Sequence, residues 1–202
     1  MNKKPDHQNA SSIVDADLIR DFQSGNKQAF DNLVIRHKDK IFNLCYWYLQ
    51  DYQEANEQAQ EIFIKAYKGL KSFRFESSFT TWLHRVAVNT CKNRIKSLEY
   101  RFRKQTDSID NPEMAENVNP GDGIMDETHS PDLALEKKQR SAALRKAISD
   151  LSESKKTMIV LRDIEGFSYE EIASITGLKH GTVKSKIARA RDDLKNKLKG
   201  AF

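Results

Sequence analysis

Two sets of side chains in this sequence have the types and the spacing to read nucleic acid. The first lies in Ser168–Leu198, SYEEIASITGLKHGTVKSKIARARDDLKNKL. Lys184, Ser185, Ala188 and Arg189 fall at i, i+1, i+4 and i+5, so on a helix they share one face, with Val183, Ile187, Ala190 and Leu194 opposite. Short side chains beside long donors let such a helix sit deep in a DNA major groove while the donors reach base edges. The second set, in FRFESSFTTWLHRVAVNTCKNRIK from Phe73, is Trp82, Arg85, Asn89, Lys92, Asn93 and Lys96. An aromatic ring stacks on an unpaired base, amides read base edges and cations hold the backbone, a combination suited to single-stranded nucleic acid. Each set also has a plainer reading. The basic face is then only solvated, and Trp82 and the phenylalanines only pack in the core, where Phe79 is expected in any case.

The elements that position the first set can be read directly. Ser168 and Glu171 have the spacing of a capping box. Ile172, Ala173 and Ile175 give the first helix an apolar side, and Gly177 suits the left-handed residue that ends it. A second helix starts near His180. The pattern predicts a helix-turn-helix. From Lys179 to Lys199 there are eight Lys/Arg against Asp192 and Asp193, a local charge of +6 that attracts phosphate.

Around the second set the sequence predicts a helical domain. Asp15 or Asp17 is expected to cap a short helix bearing Leu18, Ile19 and Phe22, ended by Gly25. A longer helix follows with Phe30, Leu33, Val34, Ile41, Leu44, Cys45, Tyr48 and Leu49 inward; His37 on that stripe reads as a core or boundary residue. A third, Gln53 to Leu70, turns Ala59, Ile62, Phe63, Ala66, Tyr67 and Leu70 in. Its outer face carries Glu54, Glu57, Gln60, Glu61 and Lys65, equally consistent with a solvated surface and with a partner-binding one. Phe73, Arg74, Phe75, Glu76, Ser77 and Ser78 form a connector, with Ser77 or Ser78 as N-cap. The helix after it is expected to bury Leu83, Val86, Ala87, Ile95 and Leu98.

With 31% charged residues, 8 Gly and 4 Pro in 202 residues, the composition favours an all-α fold. The net charge of +5 hides a division: Gln105 to Glu136 holds nine Asp/Glu and no Lys/Arg, leaving +14 elsewhere. Three of the four prolines fall in that acidic stretch, which reads as a flexible linker. The expected organisation is a polar tail at 1–14, a helical domain at 15–103, an acidic linker at 104–132 and a helix-turn-helix domain at 133–202. No apolar run approaches the ~20 residues that span a bilayer, and the N-terminus has no apolar signal core. Cys45 and Cys91 lack metal-type spacing and read as reduced core residues of a cytoplasmic protein.

These stretches together resemble the extracytoplasmic-function (ECF) sigma factors, the two-domain initiation subunits of bacterial RNA polymerase. FESSFTTWLHRVAVNTCKN is similar to the family's −10-element segment, QEANEQAQEIFIKAYKGLKSF to its polymerase-docking helix, and DIEGFSYEEIASITGLKHGTVKSKIARAR to its −35-reading helix-turn-helix. The resemblance covers about residues 15–100 and 133–199. It implies that Lys184, Ser185, Ala188 and Arg189 face −35 bases, with Thr182 and Arg191 nearer phosphate. Phe73, Arg74, Phe75, Glu76, Ser77 and Ser78 would form the loop that captures an extruded −10 base, with Trp82, Arg85, Asn89, Lys92 and Asn93 along the separated strand. Glu57, Gln60, Glu61 and Lys65 would lie towards the clamp of core RNA polymerase. Gln58 departs from the usual docking-helix pattern, and Ala188 replaces a larger side chain in the usual reading helix. The family also implies a partner anti-sigma factor, and a linker that threads near the RNA path.

The expected function is promoter recognition and melting by a factor with no cofactor and no catalysis of its own. A stand-alone helix-turn-helix regulator would leave the Trp82–Asn89–Lys92 face without a purpose. Against an enzyme, the five histidines are scattered, and no metal cluster, nucleophile–base pair or phosphate-binding Gly loop is present. A pure protein-interaction module would have no use for a basic helix-turn-helix.

Overall fold

In a computed structural model, residues 7–97 and 131–199 are described. They form eight helices: α1 (His7–Gln23), α2 (Gln28–Leu49), α3 (Tyr52–Leu70), α4 (Phe79–Lys96), α5 (Pro131–Ser149), α6 (Glu153–Ile159), α7 (Tyr169–Thr176) and α8 (His180–Lys199). One π-helical turn, Val160–Ile164, extends α6, and no strand occurs among the described residues. The expected linker 104–132, apart from its last two residues, and Leu98 lie outside the described residues.

The first four helices pack on the stripes that periodicity predicts. Leu33, Ile41, Leu44, Cys45, Ile62, Leu70, Leu83 and Ala87 are fully buried. Asp51 caps α3 and Ser78 caps α4, each accepting a backbone N–H three residues on. Gly25 turns the chain between α1 and α2 at φ 113°, a conformation that L side chains rarely adopt.

Three expectations here need correcting. Residues 7–14 belong to α1 rather than to a tail, because nothing between Pro5 and Gly25 breaks a helix. Asp15 therefore caps nothing. It is buried mid-helix, where its carboxylate accepts from Arg36 Nε at 2.9 Å and pairs with His37 Nε2 at 2.8 Å. Burial alone would raise the Asp15 carboxyl, but the bonds and charges of His37 and Arg36 outweigh it and hold its pKa below the ordinary value. Glu54 likewise leaves the outer face of α3. It is buried in a two-point ion pair with Arg94 of α4, at 3.0 and 3.1 Å.

The last four helices enclose Ile148, Met158, Ile159, Val160, Leu161, Ile172, Val183 and Ile187. The turn between α7 and α8 is the one expected. Glu171 N–H donates to Ser168 Oγ at 3.1 Å and Ser168 N–H to Glu171 Oε2 at 2.8 Å, while Gly177 ends α7 at φ 71°. Arg162 lies 4.8 Å over the Tyr169 ring and donates to the Phe167 carbonyl at 2.6 Å, fixing the approach to α7.

The two halves share one apolar cluster, which runs from Ile19 to Ala190. At the seam Tyr48 Oη donates to Thr157 Oγ1 at 2.8 Å, with both groups buried. The buried His84 ring of α4 meets Phe167 edge-on at 4.7 Å, and α4 packs along α7.

Asp15 titrates lower in the folded chain than its unfolded value of 3.8, so its contribution is complete at neutral pH. That contribution is lost as pH falls from about 4 through the depressed pKa. Asp15→Asn should cost about 2 kcal/mol at pH 7 and flatten the fall of Tm with acidity, as thermal melts between pH 7 and pH 3 would record. Ser168→Ala removes half of the capping box and should cost about 1 kcal/mol, measured by urea unfolding.

Candidate nucleic-acid interfaces

Val183, Ile187 and Ala190 anchor α8 in the core, and the helical repeat then delivers Lys184, Ser185, Ala188 and Arg189 together to solvent. Ser185 Oγ donates to the Thr182 carbonyl at 3.0 Å, which keeps that hydroxyl close to the helix and the face flat. Thr182 is half-buried in the first turn, and its N–H closes on the Lys179 carbonyl at 2.9 Å. Arg191 is exposed but forks onto both carboxylate oxygens of Asp163, tying α8 to the π turn. A hydrogen bond of this kind favours the charged form, and the Arg191 pKa is raised accordingly. Arg191 thus fixes α8 against the turn beneath it.

The second interface begins at the loop before α4. Gln23 Nε2 of α1 donates to the Leu70 and Phe73 carbonyls, both at 3.0 Å, pinning the loop at its start. Phe73 is buried, whereas Phe75 stays exposed with φ 58°, an uncommon backbone state for a bulky residue. Its ring touches Phe73 at 5.1 Å, with the Arg20 guanidinium 5.3 Å from its centre. Arg74 and Glu76 are exposed, and Ser77 and Ser78 half-buried. Strain that presents an aromatic to solvent is characteristic of a ligand clamp.

Trp82 is half-buried, neither core nor free. Its ring lies on Gly69 of α3, where an added Cβ would come within 3.0 Å of it, and it meets Phe73 at 5.3 Å and Phe79 at 5.9 Å. A pocket of about 550 Å³, within the range of small-ligand sites, opens beside it, lined by Ser72, Phe73, Arg74, Glu76, Ser77, Trp82 and Arg85 among others. Beyond it Arg85, Asn89 and Asn93 are exposed and Lys92 half-buried along α4. Phe79 is buried as expected.

Part of this face is covered. Arg85 Nε and Nη2 donate to the Ser174 carbonyl of α7 at 2.9 and 2.5 Å, and Nη2 reaches Ser174 Oγ at 3.0 Å. Lys92 Nζ lies 3.7 Å from Glu153 Oε1 of α6. Ser174, Glu153, Thr157, Phe167 and the buried His84 are contacts the sequence reading missed. Gly69 was missed as well, and a glycine inside an otherwise good helix was the available signal.

On α3, Glu57, Gln60, Glu61 and Lys65 are exposed and continuous, with Lys65 3.4 Å from Glu61 and the half-exposed Ile64 between them. Among the described residues no group of three or more His, Cys, Asp or Glu could hold a metal. Cys45 and Cys91 are buried free thiols with sulfurs 3.6 Å apart; their mutual contact, then burial, push the Cys45 thiol far up, away from the thiolate a nucleophile needs. Among the described residues no helix is long and apolar enough to cross a membrane.

Comparison with known proteins places both halves of the chain in known families. The Sigma-70 region 2 family matches residues 33–100, and the Sigma-70, region 4 family matches residues 141–194. The RNA polymerase sigma-H factor of Pseudomonas aeruginosa is 41% identical over 178 residues, 88% of this chain and 90% of that protein. The ECF RNA polymerase sigma-E factor of Escherichia coli K12 is 37% identical over 189 residues, 94% and 96% of the two. Among solved structures, CnrH in complex with the cytosolic domain of CnrY shares the fold at a TM-score of 0.63 and 24% identity, covering 94% of this chain and 97% of that one. The sigma factor RpoE in complex with the anti-sigma factor NepR, from Bartonella quintana, does so at 0.61 and 24%, covering 84% and 96%. With both sigma regions matched in order and relatives of this identity along nearly its whole length, the chain belongs to the ECF family of RNA polymerase sigma factors.

Proposed function

We propose that this chain is a promoter-specificity factor that binds core RNA polymerase, reads duplex −35 DNA through α8 and holds the melted −10 strand along α4. The observation that carries the reading is the pairing, in one chain, of an exposed Lys184–Ser185–Ala188–Arg189 face with a strained aromatic loop beside Trp82. The first suits a major groove and the second an extruded base. Melting draws on binding to the unpaired strand, with no enzymatic step. Glu57, Gln60, Glu61 and Lys65 form the contact to the polymerase clamp. The chain works in the cytoplasm, where polymerase and promoter are, and an anti-sigma factor is its expected regulator.

Run-off transcription with sigma-free core polymerase on sheared genomic DNA tests the whole reading. Specific starts should appear only when the chain is added, and duplex binding without any starts would favour a stand-alone regulator. The division of labour has its own test. Lys184→Ala and Arg189→Ala should weaken initiation from duplex promoters while leaving a pre-melted template less affected. Trp82→Ala and Asn89→Ala should lose most on the −10 strand, and identical profiles for the two sets would refute the assignment. A double Glu57→Lys/Glu61→Lys variant should lower affinity for core polymerase by about ten-fold or more, as like charge replaces complementary charge. Unchanged affinity would return that face of α3 to ordinary solvated surface.

A further inference from the structure

We propose that the chain holds a second unpaired base beside the captured one, stacked on Phe75 of the loop and Arg20 of α1. The inference rests on the strand role proposed for α4 and extends that surface beyond the pocket. Phe75 is 39% exposed at φ 58°. Glycine takes such a backbone without strain, so the turn itself does not call for a phenylalanine. What the phenylalanine adds is a ring held out in solvent. The ring meets Phe73 at 5.1 Å and Arg20 in a solvated cation–π contact, a small return for a strained backbone. It also stands outside the pocket. Arg74 and Glu76 on either side of it line that cavity, and Phe75 does not. A base that fills the pocket therefore leaves the ring to a neighbour.

Arg20 completes the platform. Its Cζ lies 5.3 Å from the centre of the Phe75 ring, within cation–π reach, and its Nη1 donates to Asp17 Oδ1 at 2.9 Å, one turn back on α1. The side chain is thus held in place while 64% exposed. Gln23, one turn further along the same helix, pins the loop through the Leu70 and Phe73 carbonyls, so α1 fixes both the backbone that carries the ring and the cation beside it. The contacts form a row: Trp82 to Phe73 at 5.3 Å, Phe73 to Phe75, and Phe75 to Arg20. Trp82 stands in the first turn of α4, with Asn89 and Lys92 further along, so the row continues the surface into the loop ahead of the helix. Rings and guanidinium groups stack on any base. The second position therefore adds affinity for the strand rather than a preference for its sequence.

The test uses holoenzyme assembled from core polymerase and the full chain, on a pre-melted template from a promoter mapped by run-off transcription. A single abasic site is walked along the −10 strand, and the affinity of each template is read by competition. In the wild type the missing base should cost about five-fold or more at the captured nucleotide and at one beside it. That second penalty should vanish in Phe75→Gly, where glycine suits the backbone, and shrink in Arg20→Ala, while the first persists in both. Arg20→Lys keeps the charge but not the plane and should behave as Arg20→Ala. A second penalty that is absent from the wild type, or unchanged in either variant, overturns the inference. So does full rescue by Arg20→Lys, which would make Arg20 a phosphate contact. A loop merely loosened by glycine would weaken intact and abasic templates alike and leave the penalty in place. Specific starts with a penalty at the captured nucleotide alone would sink the second base only, and no starts would sink the sigma reading beneath it.

Discussion

The structure turns on the demand that α4 serve three neighbours at once. Its inner stripe, Leu83, Ala87, Val88 and Cys91, is sealed against α1–α3. A second stripe, centred on His84, meets the C-terminal domain, and a third presents Trp82, Arg85 and Asn89. A helix of 3.6 residues per turn has room for three such stripes only if each is narrow. Trp82, the largest side chain on it, must therefore share its bulk between core and surface. Gly69 makes that division workable, because a side chain there would push the ring outward and carry the proposed strand-binding face with it.

The loop ahead of α4 follows from the same demand. Phe73 is drawn under Trp82, so Phe75 is left to face outward, and the backbone turns left-handed to do it. A conformation of that kind costs on the order of 1–3 kcal/mol. It persists because the Gln23 side chain holds the carbonyl of Phe73 and that of Leu70 before it, and because the Ser78 cap sets where α4 begins. For the proposed capture of a base, a loop pre-shaped in this way has less ordering entropy to lose. Structural strain and proposed function here have a single origin.

Much of this was legible in the sequence, and the misses share a physical pattern. Local codes were read correctly. The Ser168–Glu171 box, the turn at Gly177 and the inward Val183–Ile187–Ala190 stripe depend on residues within a few positions of one another, so spacing alone specifies them. Periodicity also found the buried sides of α2 and α3. It failed where a charged side chain is buried by a distant partner: Asp15 looked like a cap and Glu54 like surface, because Arg36, His37 and Arg94 are not neighbours in sequence. The seam was invisible for the same reason. Tyr48 and Thr157 stand 109 residues apart, and each alone reads as an ordinary amphipathic side chain. Family resemblance supplied the proposed roles of the two faces but could not reveal that Arg85 and Lys92 on one of them meet Ser174 and Glu153.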